Sequence, residues 1–307
     1  MKNSKNMKGI LLLLLTALVW GMAFVAQSKA ADAMGHFTYV AARNVLAILF
    51  LMVLLGLRAV FRRRGGEASP EKKVPLKRVL TAGFLVGLCL FGGSNLQQAG
   101  IGSYPDGAAA AGRAGFLTAT YVVMVAAAAF FTGKKLHPLI FAAVAVCIGG
   151  MYLLCLSGGI SGIYIGDGLV LLSALCFTGQ IMFIDRFSDV DGLVLSCLEF
   201  IVTFILSFIG ALLFEAPSLS QIRAGLLPIL YAGLVSSGIG YTLQILGQKY
   251  TDPASASIAM SMESVFAALA GWLLLHERLS PVELLGCFLV FSAVILAQVP
   301  DFLGEKA

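Results

Sequence analysis

SMESVFAALAGWLLLHERLSP, residues Ser261–Pro281, has the length and apolarity of a helix that crosses a bilayer, yet it carries Glu263. A charged side chain at the centre of a membrane helix costs about 2.5–3.5 kcal/mol on insertion scales, whereas a leucine returns only about 0.3–0.6. Such a residue persists where it meets water, a partner charge or a neighbouring helix's backbone. The stretch therefore implies a span that borders a polar interior.

The rest of the chain fits a membrane setting. Of its 307 residues 59% are hydrophobic and 12% charged, about half the charged fraction of a soluble domain, and the mean hydropathy is +0.93. A span needs roughly 20 apolar residues. Ten runs qualify: 9–28, 36–58, 79–102, 107–131, 137–157, 165–185, 192–214, 225–247, 253–275 and 282–299. Turn formers separate them, as at Gly158-Gly159, Asp191-Gly192, Ala216-Pro217-Ser218 and Asp252-Pro253. The largest break, Ala59 to Arg78, reads as a polar loop. Lys2, Lys5 and Lys8 before the first run also suit a cleaved signal peptide, but the run is long enough to span.

Charge sets direction. Lys2, Lys5, Lys8, Arg58, Arg62, Arg63, Arg64, Lys72, Lys73, Lys77, Arg78, Lys134, Lys135, Arg186, Lys249 and Lys306 fall in alternate breaks, against Lys29, Arg223 and Arg278 in the others. The excess of Lys and Arg marks the cytoplasmic side, which places both termini there. The net charge of +5 thus reads as topology and gives no sign of a nucleic-acid partner.

Segments recur. FFTGKKLHP (Phe130–Pro138) resembles LLLHERLSP (Leu273–Pro281), and NLQQAGIGSYPD (Asn95–Asp106) resembles TLQILGQKYTDP (Thr242–Pro253). ALVWG at Ala17 falls near ALCFT at Ala174. The expected fold is an all-α polytopic membrane protein of ten transmembrane helices in two five-helix repeats, 1–160 and 161–307. An odd number per repeat forces the second to enter the membrane inverted, an arrangement of secondary transporters with a site between the halves.

LVWGMAFVAQ (Leu18–Gln27), FLTATYVVMVAAAAFFTGKKL (Phe116–Leu136) and ESVFAALAGWLLLHERLSPVELLGCFLVFSAVIL (Glu263–Leu296) together resemble the drug/metabolite transporter superfamily, EamA-type permeases. The resemblance implies alternating access, a pore among spans one, three, four, six, eight and nine, and export of amino acids or other small metabolites across the plasma (inner) membrane. The chain departs from the family at Glu263-Ser264, where Glu-Pro is common, and the fourth span lacks a proline after Tyr121-Val122-Val123. Any hinge there relies on other residues.

Polar groups inside the spans are the candidates for substrate contact: Trp20, Asn95, Gln97, Gln98, Arg113, Tyr121, Gln180, Tyr241, Gln244 and Glu263. Amides and phenols bind zwitterions without a bare charge. Glu263 would take an ammonium group or a coupling proton, and Arg113 a carboxylate or other anion. The bland alternatives are helix-packing hydrogen bonds for the amides and Glu263, and snorkelling for Arg113. Trp20 and Trp272 also suit interface anchors. Arg43 and Glu199 read as scaffold, snorkelling or capping neighbours. Gly83-x-x-x-Gly87 signals close helix packing.

The six cysteines form no C-x-x-C pair and His36, His137 and His276 are far apart, so neither a metal nor another cofactor is expected. Walker A and G-x-S-x-G motifs are absent, which leaves a proton or the substrate gradient as the energy source. The expected activity is secondary transport of small polar metabolites, amino acids foremost. Its rivals are a carrier of anions or cations such as nucleotides or quaternary amines, an integral membrane enzyme and a passive channel.

Overall fold

The computed structural model describes residues 2–65, 74–106, 108–131, 138–156, 163–251 and 253–302. Every regular element among them is helical: α1 (Lys2–Ala31), α2 (His36–Gly65), α3 (Leu76–Gly102), α4 (Ala110–Thr118), α5 (Tyr121–Phe131), α6 (Pro138–Leu156), α7 (Ile165–Arg186), α8 (Gly192–Phe214), α9 (Leu219–Ala224), α10 (Leu226–Leu230), α11 (Thr242–Gln248), α12 (Pro253–Ala270) and α13 (Pro281–Phe302). A π-helical stretch, Tyr231–Tyr241, joins α10 to α11, and a second, Gly271–Leu275, ends α12. Seven helical segments are long and apolar enough to cross a membrane: Met7–Ala31, His36–Phe61, Leu76–Gly102, Ala110–Ala128, Ile165–Arg186, Gly192–Phe214 and Leu226–Gln248. Three apolar stretches are shorter, Phe141–Gly150, Ala259–Leu275 and Pro281–Ala293; they lie in the runs expected at 137–157, 253–275 and 282–299.

The break expected at Ala59 is partly helical. α2 continues through Arg62–Arg64 to Gly65, because arginine is a good helix former. Lys72, Lys73, Lys134, Lys135, Lys306 and most of the repeated segment Phe130–Pro138 lie outside the described residues.

Local chemistry starts the helices. The Asp191 carboxylate accepts from the N–H groups of Leu193 and Val194 to open α8, a standard N-cap. Ser280 and Glu283 cap each other at the start of α13. Glu215 reaches from the end of α8 to accept from the backbone N–H of Phe37 and Thr38, at 2.9 and 2.8 Å, at the start of α2. The fourth run breaks at Ala119–Thr120, where Thr120 Oγ1 donates to the Leu117 carbonyl at 2.6 Å. The eighth and ninth runs contain the two π-helical stretches, a type of segment that commonly accompanies kinks.

Packing is reciprocal. α1 lies on α12, on α11 and on the π stretch before it; α7 lies on α4, α5 and α3; α2 packs on α8, and α6 on α13. Exchanging the first five runs for the second five maps this set of pairings onto itself. Close approach uses small residues. A Cβ on Gly87 would stand 2.7 Å from Val202 Cβ and 2.9 Å from the Glu199 carbonyl, and Thr203 Oγ1 donates across this contact to the Gly87 carbonyl. Leu49, Met52, Val53, Phe84, Leu212 and Leu213 are exposed on the outside, as suits contact with lipid.

One end of the bundle gathers cations. Lys8 stands over the Tyr250 ring, Arg58 pairs with Asp191 at 2.6 Å, Arg78 pairs with Asp189 at 2.7 Å and reaches the Arg186 carbonyl, and Lys249 lies beside Gly192. Burial opposes ionisation of Asp191, but the Arg58 hydrogen bond, the Val194 N–H and the charges of Arg58 and Lys249 outweigh it and hold the carboxyl below the usual carboxylate range. A depressed folded value means this contribution is complete above the unfolded carboxylate value, about 3.9, and is lost as pH falls through the folded one. Thermal unfolding in detergent should therefore show an acid-side loss of stability that is smaller in Asp191→Asn than in the unaltered chain.

Candidate functional site

Between these helices a small cavity is lined by Trp20, Ala23, Phe24 and Gln27 of α1, Arg43 of α2, Gln97 of α3, Thr118 and Tyr121 at the α4–α5 break, Phe177, Gln180 and Ile181 of α7, Ser236 and Tyr241 of the first π stretch, Gln244 of α11 and Glu263 of α12. It holds about 30 Å³, room for a water molecule or two and less than an amino acid fills.

The lining has an aromatic side and a polar side. The Trp20 and Tyr241 rings lie 4.6 Å apart, and Trp20 Nε1 donates to the Ser236 carbonyl at 3.2 Å. That carbonyl lies in a π-helical segment, where the regular backbone ladder is shifted. Gln97 Nε2 donates to Thr118 Oγ1 at 3.0 Å, which ties α3 to the break in the fourth run. Glu263 is 3% exposed. The Tyr121 hydroxyl sits beside its carboxyl, yet neither Tyr121 Oη nor Glu263 Oε1 completes a hydrogen bond. Gln244 Oε1 and Arg43 Nε are likewise buried and unsatisfied. Unsatisfied buried polar atoms are costly and uncommon, and here four of them belong to residues that line one cavity.

The candidates chosen from sequence separate into two sets. Trp20, Gln97, Tyr121, Gln180, Tyr241, Gln244 and Glu263 line the cavity. Asn95, Gln98 and Arg113 are not in its lining. Asn95 Nδ2 bonds the Phe91 carbonyl and Ser207 Oγ, both at 2.9 Å, on the α8 side. Gln98 Nε2 donates to the Gln27 carbonyl and ties α3 to α1.

Arg113 already holds two acids. Its Nε and Nη2 fork onto Asp167 Oδ1 and Oδ2 at 2.7 and 2.8 Å, and its Nη1 lies 3.3 Å from Glu283 Oε1. It also covers the Tyr164 ring at 4.8 Å. Tyr104 Oη and the Tyr164 N–H complete the shell of Asp167. Near this clamp Glu277 accepts from the N–H groups of Ala111 and Gly112 at the start of α4. Burial pushes the Glu277 carboxyl up despite those two bonds. The clamp thus joins the beginnings of α4, α7 and α13 at the end opposite the cationic one. Arg113 neither snorkels nor faces the cavity, because its fork fits the carboxylate of Asp167.

Arg43 and Glu199, expected to be scaffold, are both buried. Arg43 is 4% exposed, lines the cavity and donates to Ser94 Oγ at 2.8 Å. Glu199 is fully buried and accepts from Gln180 Nε2 at 3.1 Å. Both side chains are buried where their helices pack on neighbouring helices. Gln27, Thr118 and Ser236 do not stand out in the sequence, because uncharged polar residues are common in membrane helices. Asp167 does not stand out either, because an acid in a helix's first turn reads as a cap.

An all-helical fold with several membrane-length segments and a polar centre defines a multi-pass membrane protein. Its sequence matches the model of the EamA-like transporter family twice, over residues 7–156 and 164–298, and the chain belongs to that family. It is similar to an uncharacterized transporter of Archaeoglobus fulgidus, 29% identical over 94% of this chain and 84% of the relative. It is also similar to the uncharacterized inner membrane transporter YedA of Escherichia coli K12, 25% identical over 93% of this chain and 89% of that protein. A crystal structure of a protein with 19% identity shares the fold, with a TM-score of 0.68 over 95% of this chain and 96% of that one. Family and relatives point to a membrane transporter rather than an enzyme.

Proposed function

We propose that this chain is a secondary transporter of the plasma membrane that moves small polar metabolites, amino acids foremost, outward by alternating access. The carrying observation is the central cavity, with the Glu263 carboxylate and the Arg43 guanidinium on its walls. Opposite charges at one site suit a zwitterion, and the Trp20–Tyr241 pair offers it an apolar wall. The cavity is smaller than the cargo, so loading requires the surrounding helices to part.

Ten spans in two inverted halves agree with the reciprocal packing and with two successive matches to one family model. α1 and α12 run in the same direction, since Gly9 approaches Thr251 while Gly21 approaches Phe266; that agrees with the first and ninth of ten alternating spans. The cationic end would face the cytoplasm, with both chain termini on that side. A carrier of anions bound at Arg113 is disfavoured, because Asp167 and Glu283 occupy its guanidinium.

The test is counterflow in proteoliposomes. Preloading with an unlabelled amino acid should drive transient uptake of the labelled one, saturably. Uptake that is linear in concentration with no overshoot would indicate a channel and overturn the reading.

A further inference from the structure

The cavity wall continues into a chain of amides that ends on a second carboxyl. Gln244 Nε2 donates to Gln180 Oε1 at 3.3 Å, and Gln180 Nε2 donates to Glu199 Oε2 at 3.1 Å. Gln244 and Gln180 line the cavity, whereas Glu199 lies behind them and is fully buried. Its other oxygen, Oε1, has no hydrogen-bond partner, and neither has Gln244 Oε1. No Lys or Arg forms an ion pair with Glu199 among the described residues. A buried acid without a cation is expensive in a membrane span and usually marks a function.

We infer that Glu199 is a proton-binding site whose occupancy sets, through Gln180 and Gln244, whether the cavity wall offers its cargo an acceptor or a donor. An ionised carboxylate only accepts. Gln180 must then give it the amide nitrogen and turn its oxygen to Gln244. Gln244 in turn gives its nitrogen to Gln180, which leaves Gln244 Oε1 as the free group, the arrangement seen here. When Glu199 takes a proton from water it acquires one donor. That donor goes to Gln180 Oε1, both amides turn over, and Gln244 Nε2 is freed in place of Oε1. The wall changes from a partner for an ammonium to a partner for a carboxylate, and no atom beyond the one proton is gained or lost.

The surroundings of Glu199 permit this without a competing acid on its own helix. Arg43 from α2 donates through Nη2 to Ser94 Oγ while its Nε is unsatisfied, and Tyr241 from the π stretch is within electrostatic reach of Arg43, Glu199 and Glu263. The thiols carried by α3, α7 and α8 are those of Cys89, Cys176 and Cys197.

The consequence for cargo rests on the transporter reading above, but the proton relay does not, so its test uses no cargo. Trp272 is exposed, and Trp272→Phe leaves Trp20 as the only tryptophan, a fluorophore inside the cavity. In that background, infrared difference spectra across a pH titration should contain a carboxylic carbonyl band that Glu199→Gln removes and Glu199→Asp restores at a shifted position. Trp20 emission should show a transition at the same pH. Gln180→Met should keep the band and lose the Trp20 transition. A band unaffected by Glu199→Gln would overturn the proton site, and a Trp20 transition that survives Gln180→Met would overturn the relay. If Glu199→Gln does not fold, Gln180→Met decides alone: loss of the Trp20 transition with the band retained supports the relay, and its persistence refutes it. Failed counterflow with an intact relay would instead count against the cargo assignment.

Discussion

Exchanging Arg113 for methionine is expected to destabilise the protein by about 3–5 kcal/mol, the cost of leaving a buried charge without its partner. The Arg113 and Asp167 side chains are 5% and 4% exposed, so solvent does little to screen them. Asp167 would keep the Tyr104 hydroxyl and the Tyr164 N–H, neither of which neutralises it. The damage should spread, because the clamp fixes the starts of three helices. Thermal unfolding in detergent, followed by protease sensitivity, measures the effect. Adding Asp167→Asn to the Arg113→Met variant should recover much of the loss, since a buried ion pair replaced by neutral groups is often close to neutral in energy. A single variant as stable as the parent would show that the clamp is not closed in the membrane.

Glu263→Gln is expected to act in the opposite sense: function falls while the fold holds. The amide keeps the shape of the acid and removes an ionisable group that has no ion-pair partner among the described residues. The melting temperature should be unchanged or higher. If Glu263 holds the ammonium of a zwitterion, truncating this charge pair costs about 2 kcal/mol or more, equivalent to roughly 30-fold weaker binding. Titration of a labelled amino acid into the purified variant measures it. Parent-like affinity would take Glu263 out of the cargo site.

Much of this could be read from residues alone, for a physical reason. In lipid a polar side chain is costly, so its presence in an apolar run is informative wherever it occurs. That logic picked out Glu263, Gln97, Gln180 and Gln244, and the structure gathers them around one cavity. The same logic could not tell cavity from interface. Asn95 and Gln98 carry the same chemistry as Gln97, but as neighbours on a helix they point elsewhere and bond adjacent helices. Arg113 was ambiguous because its partner, Asp167, is 54 residues away and looks like an ordinary helix cap. Arg43 stands on a helix expected to be peripheral, yet it lines the cavity; a guanidinium is long enough to reach inward as well as outward. The π-helical stretches were not legible, since such a stretch leaves no single-residue signature.

The central claim is that cargo passes through the cavity that Trp20, Gln244 and Glu263 line. Ser236 lines it from the first π stretch and is 3% exposed. Ser236→Cys, placed in a chain whose native cysteines are replaced by serine or alanine, can be challenged with a membrane-impermeant thiol reagent from either face of sealed vesicles. The account predicts modification from both faces and protection by the transported amino acid. A thiol that reacts only after denaturation would contradict it.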